Sequence, residues 1–476
     1  MSGPRNALVP LAIVALGLES RATAQYEHDG VYMLSNVPLA EFGARHTKAM
    51  DVWGYVSDSG REYAIICLVE GTGVVEVTDP LNPTIVTVVP HEWGTQDVKV
   101  FGDFAIAGDD GAVLQIIDLS NVDAGVAPVV SSKEWSTHNI AINEESGYAY
   151  LCSDFYPTGG WLDVVDMSDP ANPSIVTTRF SGVHDAQVIT YDSGPYAGRE
   201  ILFSCSGTEG LEIIDVSNKS NIFVVGSTTY PNMDYCHQGW LSADRQYFYV
   251  GDELDELNGL VANTRTLVFD VSDITNPTLV SEFTNGLGCT DHNLYWHDGF
   301  IYESNNASGL RIFDARSDPL NPHEVGFFDS YPTNNLPGYN GSWSVYPFLP
   351  SGTVLISDRT SGLFCLDATE ATDQRMGLEV TDLIAGQPVT LSATGATPGE
   401  TVYFGYSVDG VDWTPVPQLG VRLQLENPTL GGAATADGAG VAVLNRSIPA
   451  IASGLEIWIQ AAERGRVSTL ATGVIQ

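Results

Sequence analysis

The stretch from Leu162 to Pro173, LDVVDMSDPANP, decides the fold: four apolar-rich residues end in an acid, and an Asp-Pro/Asn-Pro turn follows. Its plan recurs as VVEVTDPLNP from Val74, LQIIDLSN from Leu114, LEIIDVSN from Leu211, LVFDVSDITNP from Leu267, LRIFDARSDPLNP from Leu310 and LFCLD from Leu363. The aligned acids are Glu76, Asp118, Asp166, Asp215, Asp270, Asp314 and Asp367, spaced by 42, 48, 49, 55, 44 and 53 residues. Self-similarity at such a period marks blades or solenoids.

Each interval has room for about four short strands, since Val-, Ile- and Tyr-rich runs alternate with Gly/Asp/Asn/Pro turns. Every interval also holds a second element that begins polar and turns apolar: MDVWGY at Asp51, QDVKVF at Asp97, HNIAIN at His138, HDAQVI at His184, HQGWL at His237, HNLYW at His292 and SWSVYP at Trp343. Seven four-stranded units predict an all-β fold, a seven-bladed β-propeller over residues 25–370, in which radial repetition leaves only short edges. The segment Val31 to Leu39 reads as a fourth strand that closes the ring by completing the last blade.

After Asp367 the repeat stops, and Ala371 to Arg375 reads as a short polar linker with few contacts across it. Residues 377–476 return to alternating β pattern (PVTLSA, TVYFGYS, AVLNRSI, LEIWIQAA), which predicts a small, separate β-sandwich.

Composition restricts the function. The 476 residues carry 20 Lys+Arg against 59 Asp+Glu, a net charge of −39 whose field repels nucleic acid and anionic lipid. Near the N-terminus, Arg5, the apolar run Ala7 to Leu18 and Ala22-Thr23-Ala24 form the three parts of a secretory signal peptide over residues 1–24. No apolar stretch reaches the roughly 20 residues of a membrane span, so a secreted product, periplasmic or extracellular, is expected. Six cysteines are too few for a disulfide scaffold, and Cys67, Cys152 and Cys205 sit in strand-like runs as buried thiols. Cys236 and Cys289 stand near His237 and His292, where they would add soft ligands or bridge neighbouring blades.

The ordered motifs HNIAIN, HDAQ, HQGWL, DELDE with TRT, DHNLY and SWSVYP, together with the LEIIDVS-type strands, resemble the secreted LVIVD-repeat proteins of the choice-of-anchor B family. The likeness runs from about Val31 to Asp367; it implies a propeller and export, and implies no particular reaction. The family name implies varied C-terminal attachment, yet the chain ends at Gln476 with no apolar tail or sorting motif, so no lipid or covalent anchor is expected.

In a propeller, the starts of the polar-to-apolar strands share one mouth with the ends of the strands that follow them. That mouth would gather His138, His184, His237, His292, Asp51, Asp97 and Asp185, with Asp109, Asp110, Asp154, Asp252, Glu253, Asp255 and Asp358 near by. Neutral imidazoles beside carboxylates suit a divalent transition metal; the same residues would serve packing equally well by bonding adjacent backbone. The run Asp252-Glu253-Leu254-Asp255-Glu256 offers hard oxygens for calcium, without an EF-hand pattern. Trp53, Trp240 and Trp343 would pack the inner strands or stack on a sugar or other small ligand.

Asn305-Asn306-Ala307-Ser308 and Asn340-Gly341-Ser342 fit the glycosylation rule. No nucleophile elbow, phosphate loop, CxxC, HExxH or haem-attachment string occurs. These readings describe an exported binding or surface-associated module for a small-molecule, glycan or protein ligand, or alternatively a metal-dependent enzyme with a histidine-lined site at the propeller axis.

Overall fold

The computed structural model describes residues 26–91, 94–111, 113–155, 159–372 and 375–476. The signal-peptide expectation falls on residues 1–24, outside the described residues.

Strands and short 3-10 turns make up the regular structure of the described residues. Between residues 28 and 367 these form seven antiparallel sheets. Sheet 1 shows the plan, with strands Ala49–Val56, Glu62–Leu68, Gly71–Glu76 and Thr84–Pro90 paired in chain order. The first strands of sheets 2 to 7 are Asp97–Phe101, Asn139–Asn143, Asp185–Thr190, Cys236–Leu241, Asn293–His297 and Ser342–Tyr346. Each first strand adjoins the first strand of the next sheet, and that of sheet 7 adjoins that of sheet 1. Such radial closure defines a β-propeller.

Burial explains which strand sits where. The second strand of sheet 1, EYAIICL, is buried along its whole length because neighbouring sheets cover both faces. The outer strand SIVTTR of sheet 3 alternates exposed and half-buried residues, as an edge facing water does. Apolar layers fill the gaps between sheets, as where Phe203 of sheet 4 stacks on Phe248 of sheet 5 with ring centroids 5.3 Å apart.

The recurrent acids are turn-makers. Asp118, Asp166, Asp215, Asp270, Asp314 and Asp367 each accept a hydrogen bond at 2.8–3.0 Å from the backbone N–H two residues on. This local bond turns the chain out of the third strand, which gives the repeat a physical cause.

Tyr32–Val37 pairs with Gly362–Asp367 as the outer strand of sheet 7, so both ends of the propeller sequence meet in one sheet. The structure adds an element that the repeat does not announce: His28–Asp29 pairs with Phe327 and Phe328 as a fifth strand of sheet 6.

The segment after Asp367 differs from the expected polar linker. Ala371 and Thr372 are buried, and the Ala371 N–H donates to the Gly30 carbonyl at 3.1 Å. Gly30 has φ +63°, and a Cβ on Gly326 would lie 2.5 Å from the Ala371 methyl, so glycines make room for this chain. The C-terminal part also touches the propeller, through Arg422 donating to the Met33 carbonyl at 3.1 Å and Trp413 packing on Tyr32 at 4.7 Å. That part comprises two main sheets, one with Pro388–Thr394 at its centre and one built on Thr401–Ser407 and Glu456–Glu463. Val389, Leu391, Phe404, Leu444, Ile459 and Ala461 share its core.

Candidate functional site

The starts of the first strands converge at one end of the propeller axis. His138, His184, His237 and His292 follow one another around it, with ring centroids 4.8, 4.3 and 4.4 Å apart, and Trp343 continues the series 4.3 Å from His292. Three of these imidazoles share one bonding rule. Nδ1 of His184 lies 2.8 Å from the His237 carbonyl oxygen, Nδ1 of His237 lies 3.3 Å from that of His292, and Nδ1 of His292 lies 2.6 Å from that of Trp343. A carbonyl only accepts, so each Nδ1 carries the proton and each Nε2 keeps its lone pair.

Nδ1 of His138 instead meets Asp110 Oδ1 at 2.9 Å. Burial opposes a charge on this ring, but the Asp110 carboxylate, helped by Glu253 and Asp185, lifts the pKa above the ordinary histidine value. Burial, reinforced by the neighbouring imidazoles, holds His184 and His237 well below it. Burial also takes His292 down to about 3.

Glu253, just past the second strand of sheet 5, faces this array. Its Oε1 is 3.7 Å from Nε2 of His237 and 3.5 Å from Nε2 of His292. The ligand atoms of these three residues all lie within 4.8 Å of one another, a grouping that could hold one metal ion. Burial pushes the Glu253 carboxyl up to about 7.

Beneath the rings lies a cavity of about 10 Å³, lined by Asp51, His138, His237, His292 and Trp343 among others, which is the size of a single ion or water. Outside them opens a mouth of about 340 Å³ whose wall includes Tyr235, Tyr339, Trp343 and Arg359. The half-buried Arg359 guanidinium stacks over Trp343 at 4.9 Å and Tyr339 at 5.8 Å.

Asp51 and Asp97 lie one layer further in and meet a different partner. Lys99 Nζ is 2.8 Å from Asp51 Oδ2 and also bonds Asp97 Oδ1, while Asp97 Oδ2 accepts the Ile140 N–H at 2.6 Å. Asn139 and Gln238 make similar strand-to-strand bonds, to the His184 carbonyl and the Leu294 N–H. This layer fastens each inner strand to the next.

The acidic run 252–256 is divided. Asp252 takes hydrogen bonds from Tyr230 and from the Asp234, Tyr235 and Leu254 N–H groups, Glu253 turns to the histidines, and Asp255 groups with Glu256 and Asp291. Sequence reading alone had no signal for Asp291 as their neighbour, because it comes from sheet 6. The tryptophans divide too: Trp343 lines the mouth, whereas Trp53 and Trp240 line a separate cavity of about 310 Å³ further along the inner strands, with Lys99. All six cysteines are free and buried, so no disulfide joins Cys236 to Cys289. Asn306 is fully buried and bonds the Ser342 carbonyl, which rules out a glycan there, whereas Asn340 is exposed.

The fold is thus a β-propeller, and part of its repeat matches a known family model. The model described as "LVIVD repeat" matches residues 94–122, 136–178 and 206–229. No curated protein matches the chain. Among solved structures, the chain is similar to that titled "Structure of U3-55K" (10% identity, 70% of this chain and 98% of that one, TM-score 0.48). It is also similar to Kuenenia stuttgartiensis hydrazine synthase (13%, 56% and 83%, TM-score 0.41) and Saccharomyces cerevisiae Sqt1 (10%, 68% and 96%, TM-score 0.45). No helix among the described residues is long and apolar enough to cross a membrane.

Proposed function

We propose that this chain is an exported seven-bladed β-propeller, released by cleavage after residue 24 and followed by a β-sandwich over 377–476. It works as a binding module that holds a divalent transition metal on His237, His292 and Glu253. The observation that carries the metal reading is Glu253 Oε1 facing the Nε2 atoms of both His237 and His292, whose Nδ1 atoms are already committed. A backbone carbonyl fixes the tautomer and the ring plane, the usual outer-sphere arrangement for a metal-binding histidine, and leaves Nε2 as ligand. Packing alone explains the Nδ1 bonds. It does not explain a half-buried carboxylate brought to both Nε2 atoms without a hydrogen bond to either.

Two imidazoles and one carboxylate suit zinc or a neighbouring first-row ion, with a coordination position left toward the mouth. His184 and His138 stand beside the set. Arg359, stacked on aromatic rings and making no ion pair among the described residues, gives the mouth a cationic wall that favours a small anionic ligand.

The test is elemental analysis of the purified mature protein, followed by cobalt(II) titration of chelator-treated protein read by visible absorption. One equivalent and a tetrahedral or five-coordinate spectrum are expected, both lost in the His237→Ala/His292→Ala double variant. Stoichiometric metal retained by a folded double variant would overturn the assignment.

A further inference from the structure

Next to the histidine mouth, and sharing a turn with it, lies a second group of chemistry-bearing residues. Asp255 and Glu256 follow the second strand of sheet 5, and Asp291 precedes the first strand of sheet 6. Their exposures are 0%, 5% and 3%, and one carboxylate oxygen from each lies within 4.8 Å of the other two.

Four of the six oxygens have no hydrogen-bond donor: Asp255 Oδ1, both oxygens of Glu256, and Asp291 Oδ1. The cation at hand is already engaged. Arg265 gives Nε to Asp255 Oδ2 at 2.6 Å, one terminal nitrogen to Glu282 at 3.4 Å and the other to the Asn232 carbonyl at 2.9 Å. The Arg265 N–H reaches Asp291 Oδ2 only at 3.4 Å. Glu256 therefore sits 95% buried beside the Asp255 carboxyl and in no ion pair among the described residues. Buried carboxylates left so are costly, and the protein has two remedies: protons on the acids, or a cation between them.

We propose that Asp255, Glu256 and Asp291 form a calcium site between sheets 5 and 6, distinct from the histidine site. The donors are all oxygen, with no imidazole or thiolate in the group, which selects a hard cation. Both Glu256 oxygens are available, as bidentate coordination at calcium's radius requires, and calcium's irregular geometry tolerates backbone carbonyls and water for the remaining positions. The proposal does not depend on a metal at His237 and His292, since no residue belongs to both sets.

The experiment uses the full mature chain after chelator treatment and gel filtration. Thermal unfolding and calorimetric titration are followed against calcium chloride. Expected are one bound calcium per chain, a dissociation constant of about 1 mM or tighter, in the range of extracellular modules, and a Tm that rises with calcium concentration. Glu256→Gln and Asp291→Asn keep the shape and remove the charge. Each is expected to fold, to melt at or above the calcium-free parent, and to lose the calcium response. The His237→Ala/His292→Ala variant is expected to keep that response, so that failure of the transition-metal reading leaves this one standing. No Tm shift and no binding heat in the parent, or an unchanged response in Glu256→Gln/Asp291→Asn, would show a protonated carboxyl cluster only and overturn the proposal.

Discussion

Nδ1 of His184 donates to the carbonyl oxygen of His237 across 2.8 Å, from the start of one inner strand to the start of the next. The same bond repeats from His237 to His292 and from His292 to Trp343, so side chains at equivalent repeat positions fasten neighbouring sheets at the axis. One residue type thus meets two demands, since the nitrogen not used for fastening is left for chemistry.

Replacing His184 by Ala leaves the His237 carbonyl buried without that donor and opens space among the rings. The expected loss is about 1–3 kcal/mol of unfolding free energy, read by urea denaturation, while His184→Asn, which restores an N–H, recovers part of it. An unchanged midpoint would remove the fastening role.

His292 should stay neutral across the ordinary histidine range. Burial takes its pKa down to about 3, so the unfolded chain, titrating near about 6.5, binds the extra proton first. Stability contributed by this group is therefore complete above about 6.5, falls as pH drops below that value and levels off below about 3. The imidazole carbon-bound proton resonances of His292 in metal-free protein, followed by NMR, should not shift through the range near 6.5.

Deleting residues 25–40 removes the outer strand of sheet 7 and the added strand of sheet 6 together. The strand Gly362–Asp367 then becomes an open edge, and the ring loses the strand that joins its two ends. A lower Tm and concentration-dependent aggregation are expected; a deletion variant that melts with the parent would contradict this closure.

Arg359→Ala should leave cobalt(II) stoichiometry unchanged, because the guanidinium belongs to the mouth wall and not to the ligand set. Binding of a small carboxylate probe such as citrate to the metal-loaded protein should weaken about tenfold, as expected for one charge-assisted contact. Equal affinity in parent and variant would remove Arg359 from ligand binding.

Limited proteolysis offers a check on the segment after Asp367. With Ala371 packed against Gly30 and Gly326 and Thr372 also buried, first cleavage is expected elsewhere than at these residues. A single early cut there would show the contact to be transient.

By itself, the sequence determined the sheets. Strand order, the turn-making acids and the closing role of Val31 to Leu39 were legible because each rests on local chemistry: alternation, Asx turns and a repeat that copies one solution along the chain. It also marked the histidines, since equivalent repeat positions must fall at one end of the axis. What each side chain meets there was decided by tertiary structure alone. Asp51 and Asp97 read as ligands but pair with Lys99, which stands two residues past Asp97 on one inner strand and reaches Asp51 on the neighbouring one. The contiguous acids 252–256 parted company because a turn points successive side chains in different directions, Glu253 toward His237 and His292, and Asp255 toward Asp291. The buried passage of Ala371 depended on glycines 45 and 341 positions away in the chain. Periodicity fixes what a residue's own neighbours see; contacts between sheets arise only when the ring closes, and no local pattern encodes them.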